Sequence, residues 1–126
     1  GEIVTDKIFI QEIKRQFPQI HCYYAVRGFA ILNDVTMFDA DMVNMHEVAT
    51  VVSNGSKAAG TVLDDVCDEF KAIFDNADVI ISKGQGNFES LHPINKENLF
   101  FLLMAKCSVI AKIFNVLPKS IICMKN

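Results

Sequence analysis

Apolar residues recur at helical spacing in two parts of the chain and form short, unbroken runs in the others. Over residues 3–13 they repeat every three or four positions between charged residues, which predicts an amphipathic helix that ends before Pro18. The strongest helical pattern begins at Gly60 and keeps its apolar residues on one face through Phe74. These two patterns predict the two longest helices.

Runs of β-branched, aromatic and other apolar residues predict the strands. They cover residues 21–26, 50–52, 78–82, 99–105 and 120–124. Shorter helical segments are predicted at 36–41, 45–48, 88–91 and 108–115, and the first of them has Thr36 as its cap and Asp39 as the acidic partner of a capping box. Strands that alternate with covering helices predict an α/β fold: a three-layer α/β/α sandwich with a mainly parallel sheet of about five strands, in one domain over residues 1–126.

Composition narrows the class of protein. The chain has 126 residues, of which 51% are apolar and 21% charged, with a net charge of −3, which is typical of a folded globular domain. It has no long basic run and no apolar stretch near the roughly 20 residues that a membrane helix needs, so we expect no nucleic-acid partner and no membrane span. Four scattered cysteines indicate reduced thiols in the core and a cytoplasmic location.

Polar loops with glycines follow the predicted strands. They are Arg27-Gly28, Asn33-Asp34, residues 53–56 and residues 83–87. In an open α/β sheet, ligands bind beyond the carboxyl ends of the strands. The sequence therefore predicts a ligand site built from these loops.

The loop that begins at Lys83 combines a cation with two glycines directly after a buried strand. Its backbone N–H groups and the ammonium could hold an anion such as phosphate. It lacks the order of a P-loop, and Glu89 stands where a dinucleotide-binding fingerprint has its third glycine. From the residues alone, a phosphate site and a tight turn with a solvated lysine remain alternatives.

The pair Asn33-Asp34 offers amide and carboxylate oxygens, which suit Mg²⁺ or Mn²⁺. The same pair could instead cap the following helix or form an Asx turn. Arg27 is either a ligand for phosphate or carboxylate or a surface ion-pair partner.

Four segments, in their order and spacing, resemble the ARMT-like damage-control phosphatases. They are Gly-Glu-Ile-Val-x-Asp at 1–6, Val-Arg-Gly followed by Asn-Asp-Val-Thr within 26–36, Ser-Asn-Gly-Ser followed by Gly-Thr within 53–61, and Ser-Lys-Gly-Gln-Gly-Asn-Phe-Glu at 82–89. The resemblance covers essentially the whole chain. It implies hydrolysis of small phosphomonoesters, such as sugar or cofactor phosphates and damaged metabolites, with a divalent metal: Mg, Mn, Co or Ni.

The resemblance also implies residue roles. Asp34 matches the third metal ligand and Lys83 matches the phosphate-binding lysine, and these two are the implied catalytic residues. The positions implied to contact substrate or phosphate, besides Lys83, are Arg27, Asn33, Ser53, Asn54, Gly55, Gly84, Gly86 and Asn87.

The first residues match only the end of a family motif. Gly1-Glu2 corresponds to the last two positions of Asp-Asn-x-Gly-Glu, so the first two metal ligands are expected before residue 1. We therefore expect this chain to be the C-terminal portion of a longer phosphatase, without its N-terminal helical region and inactive by itself. The alternative is a non-catalytic α/β domain that binds a phosphorylated ligand or a partner protein.

Overall fold

The computed structural model describes residues 2–126, which form five α-helices, five strands and one short 3-10 helix. The helices are α1 (Glu2–Gln16), α2 (Met37–Met42), α3 (Asp68–Asn76), α4 (Gln85–Leu91) and α5 (Ser108–Ile113), and the 3-10 helix is Met45–Glu47. The strands are β1 (Tyr23–Val26), β2 (Thr50–Ser53), β3 (Ile80–Lys83), β4 (Leu99–Met104) and β5 (Ile121–Lys125). The predicted α/β class is confirmed.

These elements group into two compact units. The first comprises residues 2–57 and 65–71, with α1, α2, β1 and β2. The second comprises Ala58–Asp64 and Ala72–Asn126, with β3, β4, β5, α4 and α5. Helix α3 contributes residues to both units.

In the first unit, β1 and β2 pair in parallel, and α1 packs against them. The buried core consists of Ile3, Ile10, Val26, Ala40, Met45, Val48 and Ala49. A polar contact adds to this packing, since the Tyr24 hydroxyl donates to the carboxylate of Asp6 at 2.8 Å and Asp6 is only 7% exposed. Helix α1 is thus held by its buried apolar residues and by a partly buried hydrogen bond.

Helix α2 begins as the sequence predicts. The backbone N–H and the hydroxyl of Thr36 both donate to the Asp39 carboxylate, at 2.8 and 2.7 Å. These hydrogen bonds hold the pKa of Asp39 below its usual range. The predicted capping box is confirmed.

In the second unit, β3, β4 and β5 form one sheet, in which β3 runs parallel and β5 antiparallel to the central β4. Leu99 and Phe101 on β4 are fully buried. Phe88 of α4 packs edge-on against Phe101, with ring centroids 5.2 Å apart. This contact fixes α4, and with it the loop that follows β3, against the sheet.

The prediction of a single, mainly parallel sheet of about five strands is wrong, because the strands form a two-stranded and a three-stranded sheet. Strand β5 pairs antiparallel with β4, with Ile121 opposite Met104 at the end of β4. The chain turns back where β4 ends, with Lys119 N–H donating to the Ala105 carbonyl at 2.8 Å.

The predicted long helix from residue 60 is also wrong over its first eight residues, since α3 begins at Asp68. Residues 60 and 61 instead pack on α4. A Cβ on Gly60 would lie 2.8 Å from the carbonyl oxygen of Gly86, and Thr61 N–H donates to Ser90 Oγ at 2.9 Å. Contacts with a distant helix therefore override the local apolar periodicity.

Two other expectations concern surface properties. None of the helices within residues 2–126 is long and apolar enough to cross a membrane. All four cysteines are free thiols, but Cys22, Cys67 and Cys107 are half-buried and Cys123 is exposed. Cys22 packs against the core of the first unit, but the prediction that all four thiols are buried in the core is wrong.

Candidate functional site

The loops that follow β1 and β2 lie side by side because the two strands are parallel and in register, with Val26 opposite Ser53. Asn54 joins these loops. Its side-chain oxygen accepts hydrogen bonds from the N–H groups of Gly28 and Ser56, both at 3.0 Å, and the residue is only 3% exposed. The side chain of Asn54 is therefore engaged in bracing the two loops.

Glycines allow these loops to approach closely. A Cβ on Gly28 would lie 2.6 Å from the carbonyl carbon of Gly55 and 2.7 Å from its Cα. Gly55 itself has φ +72°, a backbone conformation that residues other than glycine adopt at a cost in free energy. The sequence Arg27-Gly28 thus needs its glycine for backbone contact at the carboxyl ends of the strands.

Arg27 and Asp34 form an ion pair at this edge, with Nε and Oδ2 2.8 Å apart. The Arg27 side chain is 10% exposed and that of Asp34 39%. Arg27 N–H donates to the Val35 carbonyl at 2.9 Å, which holds the loop of Asn33 and Asp34 against the end of β1. Of the interpretations left open for Arg27, the structure shows an ion-pair partner that is largely buried.

Asp34 lines a cavity of about 570 Å³. The polar lining residues are Glu2, Asn33, Asp34, Thr36 and Asp39, and the apolar ones are Ile3, Ala30, Leu32, Val35 and Phe38. Leu32 has φ +50° and is 91% exposed, so a strained residue immediately precedes Asn33 and Asp34. The cavity is therefore lined both by oxygen atoms of acidic and polar side chains and by apolar side chains.

Carboxylate and amide oxygens are suitable ligands for a hard divalent cation. Among residues 2–126, however, no group of three or more His, Cys, Asp or Glu side chains is placed to hold a metal ion. Asp34 and Asn33 therefore fit part of an oxygen ligand set.

The Lys83 loop lies in the second unit, at the carboxyl end of β3. Gly84 has φ +86°, and apart from its chain neighbours no heavy atom of residues 2–126 lies within 4 Å of the place where its Cβ would be. Its N–H donates to the Leu102 carbonyl at 2.9 Å. The turn after the half-buried Lys83 is thus both open on one side and hydrogen-bonded to the sheet.

Helix α4 follows this turn and carries the rest of the loop. The side-chain amide of Asn87 donates to the Lys83 carbonyl at 2.8 Å. Gln85 donates to Glu89 at 2.8 Å and contacts Cys107 Sγ at 3.7 Å. Hydrogen bonds from the backbone N–H groups at the start of α5 and from Gln85 lower the pKa of the Cys107 thiol.

The structure places the predicted site residues in two groups. The first unit holds Arg27, Asn33, Asp34, Ser53, Asn54 and Gly55, and the second holds Lys83, Gly84, Gly86 and Asn87. Sequence reasoning gave no chemical role to Thr61, which hydrogen-bonds to Asn87. Its place in the Gly-Thr part of the motif was the available signal.

The two groups define a class of protein: an α/β protein with an acidic cavity and a lysine-containing turn at the ends of parallel strands. The profile of the damage-control phosphatase ARMT1-like domain matches residues 1–120. The chain belongs to this family.

Relatives and a solved structure agree with this assignment. The chain is 40% identical over 126 residues to a damage-control phosphatase of Pyrococcus horikoshii, and 34% identical over 113 residues to one of Archaeoglobus fulgidus. These matches cover 100% and 89% of this chain but 44% and 38% of the relatives, so the chain spans less than half of their length. The crystal structure of a DUF89 family protein from P. horikoshii matches 96% of this chain and 42% of its own, with a TM-score of 0.89 and 40% identity.

Proposed function

We propose that this chain carries part of the active site of a metal-dependent phosphatase that hydrolyses small phosphomonoesters, such as sugar or cofactor phosphates and damaged metabolites. The observation that carries the proposal is the Asp34 carboxylate, which lines the cavity while Arg27 Nε binds its Oδ2 at 2.8 Å. Metal-binding carboxylates are commonly fixed in this way by a hydrogen bond from a neighbouring residue. Membership of a family named for phosphatases supports the same function.

In this proposal, Asp34 and Asn33 contribute oxygen ligands to a divalent cation, which is Mg, Mn, Co or Ni. The bound cation supplies Lewis-acid chemistry, by polarising a phosphoryl oxygen and lowering the pKa of water. Arg27 holds the Asp34 carboxylate in place and offsets part of its charge. The Lys83 ammonium neutralises negative charge on the phosphoryl group as it develops in the transition state.

The remaining metal ligands are expected from an Asp-Asn pair before Gly1, as the family motif implies. We therefore propose that residues 1–126 alone have no appreciable phosphatase activity. A longer protein that carries this chain together with the Asp-Asn pair of the family motif is expected to be active.

The test measures hydrolysis of p-nitrophenyl phosphate by a longer protein that carries this chain together with the Asp-Asn pair of the family motif, in the presence of each of the four cations. We expect Asp34→Ala and Lys83→Ala each to lower kcat/KM roughly 100-fold or more, because each removes a group that acts on the transition state. Asp75→Ala and Lys112→Ala are matched controls, since both residues are exposed and lie outside the proposed site. Their activity should equal that of the wild-type protein.

Wild-type activity in the Asp34 and Lys83 variants would contradict the proposed function. Binding of sugar phosphates that is tight, independent of metal and not followed by hydrolysis would instead favour the non-catalytic phospho-ligand domain. Isothermal titration with and without the cation distinguishes these outcomes.

A further inference from the structure

We propose that Thr61 is a positioning residue for the Lys83 loop and that it acts through the side-chain amide of Asn87. This inference rests on the proposed function, in which Lys83 binds phosphate. Thr61 Oγ1 donates to Asn87 Oδ1 at 2.9 Å, and Asn87 Nδ2 donates to the Lys83 carbonyl at 2.8 Å. Two hydrogen bonds therefore connect a residue outside the loop to the backbone of the lysine.

This chain of hydrogen bonds has one possible direction. The Lys83 carbonyl can only accept, so the NH₂ end of the Asn87 amide must face it. The oxygen end then faces Thr61, whose hydroxyl must be the donor. Loss of the Thr61 hydroxyl would remove the hydrogen bond that holds the oxygen end of the Asn87 amide.

The peptide group between Lys83 and Gly84 is held from both sides. Asn87 binds its carbonyl oxygen, and its N–H donates to the Leu102 carbonyl at 2.9 Å. Glycine at φ +86° has wide backbone freedom, so without these bonds the peptide plane could turn. The hydrogen bonds from Asn87 and Leu102 fix the direction in which the chain leaves Lys83.

Thr61 is itself held in a fixed position. It is 7% exposed, and its N–H donates to Ser90 Oγ at 2.9 Å. The close approach of Gly60 to Gly86 presses the same segment onto α4. The hydroxyl therefore comes from a buried, braced segment, which is what a positioning role requires.

The geometry gives Asn87 a structural role at the turn. Its amide oxygen accepts from Thr61, and one of its two side-chain N–H groups donates to the Lys83 carbonyl. Asn87 thus acts on phosphate binding by holding the Lys83 peptide.

The experiment compares wild type with Thr61→Val, Thr61→Ser and Lys83→Met in the 126-residue chain. Valine keeps the size of threonine without its hydroxyl, and serine restores the hydroxyl. Amide resonances of Gly84 and the side-chain NH₂ resonances of Asn87 are recorded by ¹⁵N NMR, and inorganic phosphate is titrated into each protein. Thr50→Val is the matched control, because its hydroxyl lies in the first unit and contacts His21 at 3.1 Å.

We expect Thr61→Val to shift the Gly84 and Asn87 resonances and to weaken phosphate binding roughly 3- to 10-fold, the effect of one lost hydrogen bond. Thr61→Ser should restore both, and Thr50→Val should change neither. Thermal unfolding of each variant shows whether it is folded. Normal resonances and normal affinity in Thr61→Val would overturn the positioning role, as would a failure of serine to restore them.

Failure of the proposed function has a different signature. If Lys83→Met binds phosphate as tightly as wild type does, the assignment of Lys83 as the phosphate ligand is wrong; if wild type does not bind it, binding of free phosphate by this chain alone is ruled out. The resonances of Gly84 and Asn87 in the Thr61 variants then decide the positioning role alone.

Discussion

At the scale of single residues, the half-buried Tyr24 donates a hydrogen bond from its hydroxyl to the buried carboxylate of Asp6. Burial, and then the hydrogen bond and charge of Asp6, raise the pKa of Tyr24 well above its usual range. The neutral phenol is therefore favoured in the folded state. Its contribution to the free energy of unfolding is fully present below about pH 10 and is lost as the pH rises above that value.

Replacement of Tyr24 by phenylalanine should lower the free energy of unfolding by about 1–3 kcal/mol at pH 7, because Asp6 would lose a partner. The difference from wild type should shrink above about pH 10, where the phenol of the unfolded wild-type chain ionises. Urea unfolding at pH 7 and pH 10.5 measures both values. Tyr23→Phe is the control, because Tyr23 is 50% exposed. If the difference in unfolding free energy between Tyr24→Phe and wild type does not change with pH, this account is wrong.

The contact between Gly28 and Gly55 leads to a second prediction. Alanine at position 28 would place its Cβ against backbone atoms, which cannot move aside as a flexible side chain can. We expect Gly28→Ala to lower the free energy of unfolding by roughly 3 kcal/mol. Gly84→Ala is the comparison, because Gly84 has φ +86° and ψ 158°, a region that costs residues other than glycine of the order of 1–3 kcal/mol without any clash. A loss in Gly84→Ala that exceeds the loss in Gly28→Ala would contradict the steric explanation.

At the scale of elements, helix α2 depends on a carboxylate at its first turn. Hydrogen bonds from Thr36 lower the pKa of Asp39, so the ionised form stabilises the folded state. This contribution is present above the usual pKa of about 3.9 and is lost as the pH falls through the lowered value. Asp39→Asn should therefore reduce the urea midpoint at pH 6 and reduce it much less at pH 2.5.

Asp41→Asn provides the matched control for this prediction. Asp41 lies on the same helix, is exposed and is not part of the capping box. A midpoint that falls equally in the Asp39 and Asp41 variants at pH 6 would show that the cap contributes nothing.

The elements also show which parts of the fold the sequence could predict. The start of α2 was predictable because the cap and its partner are three residues apart. The start of α3 was not, because residues 60 and 61 are held by α4 residues that lie 26 or more positions away in the chain. The antiparallel β5 was missed because a helix between two strands suggested a parallel crossover.

The same distinction applies to the candidate site. The proximity of Arg27, Asp34 and Asn54 could be expected because loops at the carboxyl ends of adjacent parallel strands meet. The hydrogen bond between Thr61 and Asn87 could not, because the two residues are 26 positions apart and neither is charged. Pattern alone identifies candidate ligands more readily than the residues that orient them.

At the scale of the whole molecule, a net charge of −3 is compatible with binding an anion, because the field at a site depends on nearby groups. The Lys83 ammonium at the end of β3 would create a locally positive region. The total charge therefore does not exclude phosphate binding.

The stability of the protein depends on large side chains that are fully buried, such as Phe101 on β4. Phe101 is fully buried and packs against Phe88, and its truncation leaves a cavity. We expect Phe101→Ala to lower the free energy of unfolding by about 3–5 kcal/mol, a large share of the 5–15 kcal/mol typical of a domain. Chemical denaturation measures this loss. Phe38→Ala is the control, because Phe38 is 71% exposed. Equal losses of unfolding free energy in the two variants would contradict the role of burial.

Because Gln85 contacts the Cys107 thiol, the reactivity of that thiol can report changes in the Lys83 loop. Gln85 directly follows the Lys83-Gly84 turn, and Cys107 carries a thiol whose lowered pKa increases its thiolate fraction. Alkylation by iodoacetamide, followed at each cysteine by peptide mass spectrometry, should change in rate at Cys107 when phosphate binds, with Cys123 as the internal reference. An unchanged rate at saturating phosphate would show that this thiol does not sense the loop.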